Sequence, residues 1–289
     1  MRLAIDIGSN TIKCLLGEAV NGRVSRVYEE SLDNRIMASG GSLCAGAAEM
    51  IADSVKYFEA KAAAFNTSFD VETVATSALR DYGDRDEIIA YVLEKTGRKI
   101  TVLSGEDEAR LAYLGALSDP ALNDSDRCAF FDLGGGSMEV VFGFGGKAKY
   151  FKSLPLGAVR LTRELSGAEE CAAFTKEVFA KNLADIPQSD FLAAAGGAVA
   201  AARIMKKKLG LGGEENVIKL SEIEEFLSIV LLLTLDERVS KFSISANRAD
   251  ILPAAFVCVA ELMKFLHKSD LTHTFCNLRY GLIIENRKV

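Results

Sequence analysis

The stretch Leu3-Ala4-Ile5-Asp6-Ile7-Gly8-Ser9-Asn10-Thr11-Ile12-Lys13 is echoed by Ala129-Phe130-Phe131-Asp132-Leu133-Gly134-Gly135-Gly136-Ser137-Met138-Glu139, with the two aspartates 126 residues apart. Each copy reads as an apolar strand carrying Asp near its end, a tight Gly/Ser/Asn turn and a second strand. Asn21-Gly22 and the Gly143 to Gly146 segment follow as hairpin cues, so a three-stranded meander opens each half of the chain.

After the first meander the hydrophobic pattern predicts a helix over 43–65, a strand over 71–75, a helix over 85–96, a strand over 100–103 and a helix over 106–117. The second half repeats the plan loosely, with helices near 158–165 and 168–183, a strand at 191–195, helices at 199–209, 221–235 and 250–266, and a closing short strand and helix. The Asp/Asn/Ser-rich run from Asp119-Pro120 to Asp126 is the natural boundary between halves. The fold class is therefore α/β, with an N-terminal lobe over 1–120 and a C-terminal lobe over 126–276. A C-terminal helix at about 277–289 can pack back on the first lobe. Duplicated lobes imply an interlobe cleft, a favoured place for ligands.

At 289 residues with 49% hydrophobic and 26% charged content, the chain can bury sizeable cores. A net charge of -6 argues against a polyanion-coating surface, so DNA is not an expected partner and any anion must be held locally. The six cysteines are scattered without a C-x-x-C pair, which suits a reducing compartment. The start has no secretory-signal pattern, and the apolar run Phe226–Leu235 is shorter than the roughly 20 residues that span a bilayer. A cytoplasmic protein with that run as a core helix is the expectation. His267 and His273 fit neither a zinc motif nor a nucleophile–base pair, and no P-loop is present.

The turns can aim backbone N–H groups at one anion, with Ser9, Asn10, Thr11 and Ser137 adding side-chain donors. Asp6 and Asp132 are hard oxygen ligands suited to Mg²⁺, and Glu139 can assist the second. Ser104-Gly105-Glu106-Asp107-Glu108 enters a helix with three carboxylates. Ser104 and Asp107 resemble a capping pair, and one of the three acids can serve as a general base that orients water. Arg80, after the 71–75 strand, can grip phosphate through its planar guanidinium. Gly157-Ala158-Val159-Arg160 can present a helix N-terminus to an anion.

The series Asp6-Ile7-Gly8-Ser9-Asn10-Thr11, Ala75-Thr76-Ser77-Ala78-Leu79-Arg80, Ser104 to Arg110, Asp132-Leu133-Gly134-Gly135-Gly136-Ser137 and Leu154-Pro155-Leu156-Gly157-Ala158-Val159-Arg160-Leu161 resembles the exopolyphosphatase/guanosine pentaphosphate phosphohydrolase family. The resemblance implies the actin-like ATPase superfamily fold, two ribonuclease-H-like lobes around a cleft. It implies Glu108 as catalytic base, Asp6, Asp132 and Glu139 around Mg²⁺, and Ser9, Asn10, Thr11, Arg80, Gly134, Gly135, Gly136 and Ser137 around phosphates. The implied reaction is hydrolysis of a terminal phosphoanhydride in inorganic polyphosphate or guanosine pentaphosphate. Family members pair, which admits a homodimer.

The chain also departs from the family pattern. Longer relatives append a helical domain resembling HD phosphohydrolases, which this sequence lacks, so processive grip on long polymers is not expected. Ala194-Ala195-Gly196-Gly197-Ala198 stands where relatives carry hydroxyl residues, and Leu278-Arg279-Tyr280-Gly281 where they read Leu-Arg-Glu-Gly. Activity with altered substrate choice is expected. The alternatives are a catalytically weak sensor that binds polyphosphate or guanosine tetra/pentaphosphate, and, ranked last, an actin-like kinase.

Overall fold

A computed structural model describes residues 1–37, 43–83, 85–122 and 126–285. The chain divides into two compact units, Met1–Asp119 with Cys276–Val289, and Pro120–Phe275. Positions 123–125 of the boundary segment and positions 286–289 of the expected last helix lie outside the described residues.

In the first unit the meander is β1 (Arg2–Ile7), β2 (Ile12–Val20) and β3 (Arg23–Leu32), followed by α1 (Ala47–Ala63), β4 (Asp70–Ala75), α2 (Ser77–Arg80), α3 (Arg85–Thr96), β5 (Ile100–Val102) and α4 (Gly105–Ala116). The sheet order is β3-β2-β1-β4-β5. Antiparallel pairing within the meander gives way to parallel pairing from β1 through β4 to β5. β1 is buried on both faces, as Leu3, Ile5 and Ile7 pack towards α1 while Ala4 joins the cluster around Leu111 and Leu282.

The second unit repeats this plan with β6 (Cys128–Leu133), β7 (Met138–Phe144), β8 (Lys147–Leu154), α5 (Ala158–Glu164), α6 (Ala168–Asn182), β9 (Phe191–Gly196), α7 (Gly197–Lys208), β10 (Val217–Lys219), α8 (Leu220–Leu232), α9 (Leu235–Phe242), α10 (Ala246–Phe265) and β11 (Asp270–His273). Its order, β10-β11-β9-β6-β7-β8, holds the same five-strand pattern plus one added edge strand. Both sheets therefore have the ribonuclease-H-like arrangement.

The apolar run Phe226–Leu235 is not one core helix. It is cut at Thr234, whose hydroxyl accepts from the Glu237 amide while Glu237 caps the Thr234 amide, so this capping box starts α9. Leu231 and Leu232 are exposed as a result. Pro253 inside α10 cannot donate to the Ala249 carbonyl, and Arg238 Nη1 donates to that oxygen instead at 3.3 Å. Among the described residues no single helix is long and apolar enough to cross a membrane. The first helix begins at Ala47 rather than 43, and β10, α2 and α9 are elements the periodicity did not reveal.

α11 (Leu278–Glu285) closes the first unit by lying on α4 at backbone distance. A Cβ on Gly115 would collide with the Asn277 carbonyl, and one on Gly281 with that of Leu111. Arg2 reinforces this packing by donating to Glu72 at 2.7 Å and to the Leu282 carbonyl at 2.8 Å. Arg279 donates to the Cys14 carbonyl and pairs with Glu29, and Arg110 pairs with Glu285. Gly281→Ala is expected to destabilise the protein by roughly 2 kcal/mol, because overpacking here meets backbone that cannot rotate away. Gly212→Ala, which meets nothing within 4 Å, should be near neutral. Urea unfolding of the two variants checks the pair.

All six cysteines are unpaired. Burial pushes the thiols of Cys14 and Cys128 up to about 12 and raises that of Cys258 further. An alkylating reagent at neutral pH should therefore modify half-buried Cys44 and Cys276 well before these three, as read by peptide mass spectrometry.

Candidate active site

Parallel pairing brings the ends of β1, β4 and β5 to one edge of the first sheet, where open α/β folds place ligands. Asp6 sits near the end of β1. In the following turn the Gly8 amide donates to the Thr11 carbonyl at 3.1 Å. The amides of Ser9 and Thr11 have no partner among the described residues. Ser9 Oγ lies 3.2 Å from Ser77 Oγ, tying the turn to α2, and Arg35 Nε donates to Asn10 Oδ1 at 3.0 Å. Ser77, which the 75–80 motif contains without implying a role for it, and Arg35, which lies in no motif, are thus supporting residues.

One Asp6 oxygen, Oδ1, is buried without a hydrogen-bond partner. Burial pushes this carboxyl up from its ordinary range, while Lys13 and Arg279 pull it down. An orphaned hard oxygen beside unused amides suits a hydrated divalent cation carrying phosphate.

The three acids of the α4 entrance separate by environment. Ser104 caps the helix by accepting from the Asp107 amide at 3.1 Å and donates its hydroxyl to Asp107 Oδ2 at 2.9 Å. Asp107 is therefore occupied in capping, and Glu106 is exposed. Glu108 alone is buried, and Arg80 Nη1 donates to its Oε2 at 2.6 Å and to the Leu103 carbonyl at 3.3 Å. The Arg80 guanidinium, expected on phosphate, here grips Glu108.

In the second unit the Gly134 amide donates to the Ser137 carbonyl at 3.0 Å, the same turn bond 126 residues on. The Gly134 carbonyl accepts from the Ala158 amide, and that of Gly135 from those of Val159 and Arg160. The start of α5 is thus spent on the glycine turn, which corrects the reading of Gly157–Arg160 as an anion site. The Gly135 and Gly136 amides remain without partners among the described residues. Asp132 faces Glu139 across β6 and β7, and Ser153 Oγ donates to buried Glu139 at 2.7 Å.

Among the described residues no group of three His, Cys, Asp or Glu side chains is close enough to hold a metal. Mg²⁺ ordinarily uses only one or two carboxylates plus water and phosphate, so Asp6 in one unit, and Asp132 with Glu139 in the other, still suit it. The departures from the family pattern are absorbed structurally. Ala195 and Ala198 are core residues, and the Tyr280 hydroxyl donates to Glu29 at 3.2 Å.

The model of the Ppx/GppA phosphatase family matches residues 24–288. Exopolyphosphatase 1 of Mycobacterium leprae is 34% identical over 169 residues, 57% of this chain and 49% of that protein. The guanosine-5'-triphosphate,3'-diphosphate pyrophosphatase of Vibrio parahaemolyticus is 25% identical over 98% of this chain and 58% of its own length. The chain spans about half the length of the curated relatives it matches. An exopolyphosphatase from Cytophaga hutchinsonii superposes with a TM-score of 0.88 at 18% identity, over 99% of this chain and 98% of that one. The Ppx/GppA family member of Aquifex aeolicus gives 0.79 at 23%, with the same coverage. These structures share the two-sheet α/β fold of this chain. With the motif series, the fold and the family model in agreement, the chain belongs to the Ppx/GppA phosphatase family.

Proposed function

We propose that this chain hydrolyses a terminal phosphoanhydride of inorganic polyphosphate or guanosine pentaphosphate. The observation that carries the reading is the buried Glu108 carboxylate, held by Arg80 on the same sheet edge as the Asp6 turn. Phosphoryl transfer asks mainly for positioning and neutralisation of charge. Glu108 accepts a proton from the attacking water and directs its lone pair at phosphorus. Arg80 fixes that carboxylate and is long enough to share its guanidinium with the transferring group. In the first unit the amides of Ser9 and Thr11 with the Asn10 side chain, and in the second the amides of Gly135 and Gly136 with the Ser137 side chain, are suited to receive phosphate oxygens. Asp6 in the first unit, and Asp132 with Glu139 in the second, are each suited to hold Mg²⁺, which would supply charge neutralisation when bound. A cytoplasmic setting belongs to the same reading, supported by the unpaired cysteines.

Glu108→Gln should lower phosphate release from short polyphosphate by about 100-fold or more while ligand binding survives in calorimetry. Equal turnover by the variant would refute the assignment. Tight binding without turnover by the unaltered protein would establish the sensor reading instead. Asp6→Asn should raise the Mg²⁺ concentration for half-maximal phosphate release by about tenfold or more, and an unchanged Mg²⁺ dependence would remove Asp6 from the cation site.

A further inference from the structure

The second unit carries a feature that the hydrolytic reading does not use. β6, β9 and β11 are parallel neighbours, so the Gly134–Ser137 turn, the Gly196–Gly197 turn and the Thr274-Phe275 segment leave the sheet along one edge. At the end of β11, Phe275 is 53% exposed yet firmly held. The Arg203 guanidinium lies 5.1 Å from its ring centroid, and the His273 ring meets it edge-on at 4.6 Å. Glu215 fixes Arg203 through a 3.0 Å ion pair, and the Thr274 amide donates to the Ala194 carbonyl. A lone exposed Phe needs no explanation. One that carries a guanidinium over its ring and an imidazole edge-on, at the edge where a parallel sheet favours ligands, and still stays half exposed, is a preformed stacking surface.

Between this ring and the glycine turn lies β9. Gly196 takes a φ of +111°, and a Cβ there would press on the Leu133 carbonyl, so the β9–α7 turn hugs the end of β6. Over the next residue, Arg248 Nε lies 3.5 Å from where a Gly197 Cβ would stand. The half-buried Arg248 side chain has no hydrogen-bond or ion-pair partner among the described residues. Interstrand spacings put the β11 end about 10 Å from the β6 end, which is the reach from a nucleobase to its own diphosphate.

We infer that Phe275 and Arg203 form a base-stacking subsite for a nucleoside phosphate, with Arg248 receiving phosphate between that base and the Gly134–Ser137 turn. The inference rests on reading that turn as a phosphate cradle and goes beyond it by naming what distinguishes a nucleotide from bare polyphosphate. An aromatic face and a guanidinium plane contribute stacking and cation–π attraction to a base and offer an inorganic chain no comparable ring contact.

Calorimetry with GDP and with pyrophosphate tests it. The unaltered protein should prefer GDP, and Phe275→Ala should reduce the GDP-to-pyrophosphate affinity ratio by about tenfold, with Phe275→Tyr restoring it. Arg248→Gln should weaken both ligands together. The ratio is its own control for misfolding, since damage to the unit lowers both affinities. An unchanged ratio in a Phe275→Ala protein whose pyrophosphate affinity is intact, or no GDP preference in the unaltered protein, would each overturn the subsite. Failure of the hydrolytic reading appears separately, as absent phosphate release or as unimpaired release by Glu108→Gln.

Discussion

A parallel strand leaves its polar chain end on the same edge as its neighbours, and the chemistry of this protein depends on that constraint. In the first unit β1, β4 and β5 bring Asp6, Arg80 and Glu108 from three distant stretches of sequence to one rim. The Arg80–Glu108 pair is buried enough that its attraction must offset desolvation, and such pairs persist only with good geometry and added hydrogen bonds. The Leu103 carbonyl supplies one of those bonds, and it occupies its place because β5 is in register with β4. The orientation of the proposed base is therefore a consequence of strand register.

The opposite end of α4 is fixed by a different force. Gly115 and Gly281 let α4 and α11 meet backbone to backbone, so the helix bearing Glu108 is held at its far end by the last described turn of the chain. Arg279, from that same helix, reaches the Cys14 carbonyl and contributes to the field that opposes the upward push of burial on Asp6. α11 is thus a working part of the first unit, and Tyr280 helps to keep it there by donating to Glu29.

The duplicated meanders were legible because two apolar strands and a Gly/Ser/Asn turn leave a pattern that survives at a fixed offset. α3 was read to the residue, since turn residues bound it on both sides. α2 was not, because a single turn has no period to detect. The break between α8 and α9 hid inside an apolar run, where Thr234 and Glu237 gave the only signal of a new start. Three acids in a row could be placed at a helix entrance from sequence, but burial distinguishes Glu108 from Glu106, and burial is a tertiary property. Phe275, Arg203 and Arg248 belong to no motif, and the contact of Arg203 with Phe275 arises only from how α7 packs beside the end of β11.

The two meanders show how a repeated backbone can carry different chemistry. The residue opposite the turn aspartate is Lys13 in one copy and Glu139 in the other, at equivalent register positions. Lys13 is half-exposed, so water can solvate its ammonium. Glu139 is buried, where an ionised carboxylate without a donor would be strongly disfavoured, and Ser153 on the neighbouring strand supplies one. The first copy therefore presents its aspartate beside a positive charge, and the second presents two carboxylates together. A cation meets a more favourable local charge at Asp132 and Glu139, whereas an anion meets less repulsion at the turn after Asp6. A different residue at one equivalent strand position, with a hydroxyl supplied from the neighbouring strand, thus gives different local charge to two turns that share the same backbone bond.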